Sequence, residues 1–164
     1  MPARIIHFGD DHWHRVSVLQ HAGVKVDVCR TAGELVSNLR TGTDPDAIVI
    51  SQSRAVDPIT AKSLARTVTL APVILFPQHP HEPDAREFDM VVQPLTPPDD
   101  WLGDFWALIG QSRELHAQSE ALWETSRQLR RESAAVRESS QKDRARRELE
   151  KQAEPEQDPW KRLT

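Results

Sequence analysis

The sequence has one cysteine, no long apolar run and little excess charge of either sign. The single cysteine, Cys29, excludes an internal disulfide, and no stretch reaches the roughly 20 apolar residues that cross a bilayer. The formal charge of -4 at pH 7 is too small for nucleic acid or an anionic membrane to capture the whole chain. Because Met1 is followed by no basic and apolar leader pattern, we expect a cytoplasmic protein without a membrane partner.

Hydrophobic residues are also scarce, at 38% of the chain against 28% charged residues. The mean hydropathy of -0.58 indicates that part of the chain lies outside any packed core. The 164 residues suffice for one domain of about 100 to 150 residues with an appendage. We therefore expect one core and a long exposed segment.

Short apolar runs alternate with amphipathic stretches over the first hundred residues, which predicts an α/β domain of parallel strands joined by helices. Five runs have strand length: 4–8, 24–29, 47–50, 72–76 and 89–94. Thr31 is the predicted N-cap of the second helix and Asp57 that of the third. His7, inside the first strand, is expected to be a hydrogen-bonded core or boundary residue. Three prolines between residues 77 and 83 leave room for little more than a helical turn.

The second half of the chain changes character at Pro98, after which Ala, Glu, Gln, Arg and Leu predominate and predict one helix over 98–152. Large apolar residues recur there at intervals of seven: Trp101, Leu108, Leu115, Leu122, Leu129 and Val136. A serine lies four places after each of the last five of these residues. This is the spacing of a coiled-coil heptad that has serine at its a position and a large apolar residue at its d position. The helix is about 80 Å long, so its distal half must project or pair. We expect a core over 1–97, helical turns packed on it to about 112, and a disordered tail over 153–164.

The order of these elements, with three short motifs, resembles response-regulator receiver domains over about residues 3–112. The motifs are Pro-Asp-Ala-Ile-Val-Ile at the third strand, Pro-Val-Ile-Leu-Phe in the fourth and Gln-Pro after the fifth. The resemblance implies a doubly wound, flavodoxin-like parallel sheet of order 2-1-3-4-5, here with a shortened or missing fourth helix. It also implies a pocket at the carboxyl ends of the strands.

In this sequence the pocket that the resemblance implies lacks residues that phosphoryl transfer requires. Where the family has its phospho-accepting aspartate this chain has Ser51, a poor acceptor with no obvious base beside it. Pro77 replaces the family's switch Ser or Thr, and Gln93 replaces its lysine. Phosphoryl transfer needs a nucleophile, a cation and groups that neutralise the phosphoryl oxygens. The replacements predict a non-enzymatic pseudo-receiver that works without phosphorylation.

A divalent cation site is a further hypothesis. Carboxylate and imidazole side chains, which suit Zn²⁺ or a similar ion, fall in the loops after the first and fourth strands: Asp10, Asp11, His12, His14, His79 and His81. The two loops are about two strand spacings of ~4.8 Å apart, so the groups meet only if both loops fold inward. Solvated histidines and no cofactor are the preferred interpretation, with metal or nucleotide sensing as the alternative.

Residues 127–147 hold eight basic and three acidic residues, a local charge of +5. A basic helix can follow a phosphate backbone, which makes a nucleic-acid-associated transcriptional regulator an alternative function. The candidate residues are Arg127, Arg130, Arg131, Arg144, Arg146 and Arg147. Asn and aromatic residues for base recognition are missing, so we prefer the outer face of a coiled coil.

The preferred function is therefore a signalling or scaffolding module that associates through its long C-terminal helix. A homodimer is favoured, with a helical protein partner as the rival. Serine at successive a positions weakens self-association, since each forfeits most of the ~1.5–3 kcal/mol available from a buried apolar side chain. Serine does, however, permit close helix approach.

Overall fold

A computed structural model describes residues 2–80 and 85–153. The elements in chain order are β1 Arg4–Phe8, α1 Arg15–His21, β2 Lys25–Cys29, α2 Ala32–Thr41, β3 Ala47–Ser51, α3 Pro58–Arg66, β4 Val73–Phe76, a 3₁₀ turn Ala85–Glu87, β5 Met90–Val91 and α4 Pro98–Ala153. The expected disordered tail lies, from residue 154 onward, outside the described residues.

The five strands form one parallel sheet of order β2-β1-β3-β4-β5, which confirms the predicted topology. The register places His7 of β1 opposite Val49 of β3. Ser51, the last residue of β3, lies opposite Phe76, the last residue of β4. Since all strands run in one direction, these strand ends meet at the carboxyl edge of the sheet.

The central strand β3 is buried on both faces, as its unbroken apolar sequence predicts. Ile48 and Ile50 pack in a cluster with side chains of α2 and α3, whereas Ala47 and Val49 pack with side chains of α1 and α4. Helices thus cover both faces of the sheet, and the domain is doubly wound.

Side-chain caps fix where two of the helices begin. The Thr31 hydroxyl accepts a hydrogen bond from the Glu34 N–H at 3.2 Å, and the Glu34 carboxylate reaches back to form a capping box. The Asp57 carboxylate accepts from the Thr60 N–H at 3.0 Å. Both caps confirm the sequence prediction, including the assignment of Asp57 to a structural role.

The edge strand β5 is shorter than predicted, with two residues in place of 89–94. Just before β5, the Asp89 carboxylate accepts a hydrogen bond from the Val73 N–H at 2.7 Å. It also forms an ion pair with the Arg66 guanidinium at 2.7 Å. At the other end the chain turns at Leu95, whose φ of 65° is left-handed. Before β5, the 3₁₀ turn of three residues stands where the family has its fourth helix, as the prolines predict.

The first turns of α4 belong to the core. Trp101, Phe105 and Ile109 are buried with residues of β1, β3 and β4. Arg113 fastens the next turn to the start of β3 through two hydrogen bonds to the Asp46 carboxylate, of 2.6 and 2.9 Å. These bonds lower the pKa of Asp46.

The chain divides into two compact units, Met1–His116 and Ala117–Thr164. The first holds the sheet, its helices and the buried start of α4. In the second unit the described residues are helical, and every side chain from 117 to 150 is exposed. The first unit includes the turns of α4 up to His116, among them those predicted to pack on the core to about 112. No helix within the described ranges carries an apolar stretch able to cross a membrane.

Candidate functional site

Ser51 stands at the position of the family's phospho-accepting aspartate, at the carboxyl end of β3. Its hydroxyl oxygen lies 2.8 Å from His7 Nε2, and both side chains are buried. The prediction that no base stands beside Ser51 is therefore wrong. The two residues lie on the same face of neighbouring strands, and their contact depends on the register of β1 and β3, which no local sequence signal specifies.

His7 is held as the neutral imidazole. Burial lowers the pKa of His7, and the nearby carboxylates of Asp11 and Asp10 only partly oppose that effect. Among the described residues no group forms a hydrogen bond with His7 Nδ1, so a proton added to the ring would be buried without a partner. The Ser51–His7 pair is consequently a neutral hydrogen bond inside the core.

Acid should therefore weaken the fold through His7. Its pKa is lowered from 6.5 on folding, so the unfolded chain binds more protons below that pH and stability falls as the pH decreases. The slope reaches about 1.4 kcal/mol per pH unit until the folded pKa is passed. We expect urea unfolding between about pH 7.5 and pH 5 to show this loss, and His7→Gln to remove it.

His21→Gln is the matched control, because His21 is exposed, and it should leave the pH slope unchanged. The lowered pKa of Asp46 acts in a separate, more acidic range, below about pH 4. An identical slope in His7→Gln and in the native chain would contradict the assignment.

The acidic pair after β1 lies beside Ser51, and one of its two carboxylates is engaged with the backbone. One Asp11 carboxylate oxygen accepts from the Arg15 N–H at 2.8 Å and the other from the Val16 N–H at 3.0 Å. Asp11 thus caps the start of α1. Asp10 is exposed and, with Asp11, lines the small space next to Ser51.

The expected metal site does not form within the described residues, where no three His, Cys, Asp or Glu side chains come together to hold an ion. The physical reason is that Asp11 binds the α1 backbone and the other groups face solvent. His12, His14 and His79 are exposed. His81 lies outside the described residues.

Arg15 is the site residue that sequence reasoning missed. Its guanidinium donates hydrogen bonds to the carbonyls of Val92 and Gln93, at 2.8 and 2.5 Å, and lies 4.6 Å from the Phe76 ring centre. Burial lowers the pKa of Arg15, against a smaller opposite effect of Asp11. A cation is therefore present near the end of β5, where Gln93 replaces the family's lysine, but it is bound to backbone carbonyls.

The space at this edge of the sheet is nearly filled. About 10 Å³ remains between Ser51, Arg15, Trp13, Phe76 and Pro77, room for about one water molecule. Pro77 is itself buried after β4, and Gln93 is exposed. A phosphoryl group with its cation does not fit without displacing side chains.

Two of the six residues assigned to the association surface belong to the core instead. Trp101 is 3% exposed and meets Phe76 and Phe105 edge to face, with ring centres 5.8 and 6.2 Å apart. Leu108 is half-buried against the same cluster. The heptad spacing includes them because a packed helix and a coiled coil share nearly the same period. The other four are exposed: Leu115, Leu122, Leu129 and Val136.

The basic residues of α4 are exposed and partly paired along their own helix. Arg127 lies 3.8 Å from the Glu124 carboxylate and 5.3 Å from the Trp123 ring centre. Arg146 pairs with Glu150 at 2.9 Å. The remaining candidates for nucleic-acid binding point into solvent: Arg130, Arg131, Arg144 and Arg147.

Solved structures share this fold. An adenylate cyclase from Rhodopirellula baltica matches with a TM-score of 0.64 at 14% identity, over 74% of this chain and 98% of that one. The receiver domain of the TMAO respiratory response regulator TorR matches with a TM-score of 0.57 at 14% identity, over 67% and 98%. A fusion carrying the trimeric coiled coil of yeast Spc42 matches with a TM-score of 0.59 at 17% identity, over 83% and 97%.

No protein-family model and no curated protein matches the sequence. The solved structures share too little sequence to show more than architecture. Strand order, helix placement and these neighbours nevertheless agree with the resemblance found in the motifs. The core of this chain has the fold of the response-regulator receiver domains.

Proposed function

We propose that the chain is a pseudo-receiver: a non-enzymatic, cytoplasmic signalling or scaffolding protein that associates through α4 without phosphorylation. The coarser statement, a receiver fold joined to a long helix, follows from the strand order and from α4 itself. The observation that carries the proposal is the combination of a closed pocket with an exposed apolar stripe on α4.

The pocket supports independence from phosphorylation through its contacts. Ser51 is hydrogen-bonded to a buried neutral His7, and Asp11 is engaged in capping α1. Arg15 binds the carbonyls at the end of β5. Ser51, Asp11 and Arg15 thus each have another partner, and phosphoryl transfer requires an acceptor, a coordinated cation and a neutralising group together.

The exposed stripe supports association. Leu122, Leu129 and Val136 are 69%, 57% and 65% exposed, and the heptad places them in one row along the helix. An isolated amphipathic helix in water gains most of its stability from covering such a row. A homodimer is the favoured assembly because a second copy of the chain supplies a matching row.

The nucleic-acid alternative receives less support. Glu124 and Glu150 lie against Arg127 and Arg146, and Glu138 pairs with Lys142 at 2.7 Å. These intrahelical ion pairs reduce the positive charge that a phosphate backbone would meet.

Two added charges in the apolar row should separate the dimer. We expect Leu122→Lys with Leu129→Lys, in the full-length chain, to weaken dimerisation about a hundredfold or more, since each leucine loses about 1.5–3 kcal/mol of burial. Light scattering should give twice the 18.6 kDa chain mass for the native protein and the chain mass for the variant. Acetyl phosphate with Mg²⁺ should change neither the assembly nor the intact mass.

The control variant adds the same charge outside the apolar row, with Ala121→Lys and Ala135→Lys. Each of these alanines lies one place before a residue of the row, and the variant should remain dimeric. A monomeric native chain would exclude self-association through α4. A stable aspartyl-phosphate adduct in the intact mass would exclude the pseudo-receiver assignment.

A further inference from the structure

The row of exposed apolar residues on α4 is flanked by two unlike sides. In the heptad that places Leu115, Leu122, Leu129 and Val136 at d and the serines at a, the e side carries Trp123, Arg130, Arg137 and Arg144. The g side carries Gln118, Thr125, Glu132 and Ser139. One flank is therefore basic and the other is polar with a single acid, and flanking charges set partner choice and orientation in coiled coils.

The two possible orientations of a second copy bring different flanks together. Antiparallel helices place the e side of one copy against the e side of the other, so that Arg130, Arg137 and Arg144 meet only arginines and Trp123. Parallel helices in register place each g residue beside the e residue five places further on in the second copy. Glu132 then meets Arg137, while Thr125 and Ser139 meet Arg130 and Arg144 without repulsion.

The serines at a are compatible with a close parallel approach. A serine hydroxyl within a helix can bond to the carbonyl one turn earlier, and Thr125 does so here, with its hydroxyl donating to the Ala121 carbonyl at 2.9 Å. A hydroxyl satisfied in this way needs no partner across the interface. Small polar a residues also favour one register over others.

We propose that α4 pairs with α4 of a second copy in the parallel, in-register orientation along the row of Leu122, Leu129 and Val136. The inference rests on the proposed function, since it specifies the orientation of the same association. A second copy is the occupant we propose, because it supplies both a matching apolar row and, in Glu132, an acid beside Arg137.

Single cysteines report the orientation directly. Cys29 is fully buried, so the native chain under mild oxidation is the unreactive control. We expect Leu122→Cys alone and Val136→Cys alone each to form a covalent dimer, because a parallel pair in register places every d residue beside its own copy. In an antiparallel pair each d residue lies beside an a residue of the second copy, so a native-like dimer in which neither single variant cross-links would overturn the proposal.

Charge exchange tests the contact that selects the orientation. Glu132→Arg should weaken dimerisation about fivefold, and Glu132→Arg with Arg137→Glu should restore it. An unaltered dimer in Glu132→Arg would contradict the inference while leaving the proposed function in place.

Failure of the proposed function gives a different result. A native chain that is monomeric by light scattering before oxidation excludes both claims. A monomeric chain that binds a synthetic acidic heptad helix would replace the second copy by a heterologous partner.

Discussion

Phe105→Ala should destabilise the first compact unit by about 3–5 kcal/mol, the cost of removing a large aromatic side chain from a packed core. Phe105 has no exposed surface and meets Trp101 and Trp106 edge to face, with ring centres 6.2 and 5.4 Å away. Native domains are stable by about 5–15 kcal/mol, so the loss is about a fifth of the total or more. Urea unfolding followed by tryptophan fluorescence measures it, because Trp101 is buried beside the substituted ring.

The matched control is Asp104→Ala, one residue earlier on the exposed side of α4, which should change stability by less than about 0.5 kcal/mol. If Phe105→Ala cost no more than this control, the start of α4 would not be part of the core. That outcome would also return Trp101 and Leu108 to the association surface.

Local sequence signals were sufficient for most of the fold. The unbroken apolar run of β3 and the caps Thr31 and Asp57 each act over a few residues. Between Pro98 and Pro155, Gly103 and Gly110 are the only helix breakers. Each of these predictions is confirmed. The strand order came from the resemblance, because local patterns do not specify which strands are neighbours.

The contacts within the pocket could not be predicted in the same way. The Ser51–His7 bond joins residues 44 apart, and the bonds from Arg15 to Val92 and Gln93 join residues 77 and 78 apart. Such pairs depend on strand register and on how α1 lies over the sheet edge. At the first position of a helix, Arg15 carries the sequence signature of a solvated residue, and only the fold shows that it is buried.

The assignment of Trp101 failed for a related reason. Seven-residue spacing along α4 is the same whether the row faces the sheet or solvent, so periodicity alone does not separate core from association surface. The aromatic density around Trp101, with Phe105 and Trp106 close by in sequence, was the available signal. Between 115 and 140 the a and d positions hold only leucine, valine and serine, as in a narrow helix–helix seam.

Gly9→Ala should be among the most damaging single substitutions in the chain, although it adds only one carbon. Gly9 follows β1 with a φ of 106°, and an added Cβ would lie 2.5 Å from the Ser51 carbonyl oxygen. Both obstacles involve backbone: the φ is one that side chains rarely allow, and the carbonyl ends a buried strand. We expect a loss of about 3 kcal/mol or more, together with displacement of Ser51 from His7.

Gly110→Ala is the control, because it should change the free energy of unfolding in the opposite direction. Gly110 lies in α4 with open space around its Cα, so alanine should stabilise the helix by about 0.5–1 kcal/mol. Urea unfolding of both variants at about pH 7 gives the two changes in the free energy of unfolding. In Gly9→Ala the free energy of unfolding should also depend less on pH if the His7 imidazole becomes solvated. A Gly9→Ala chain as stable as the native one would show that β1 and β3 can separate at this edge. The closed pocket, and with it the physical basis for a receiver fold without phosphorylation, would then be lost.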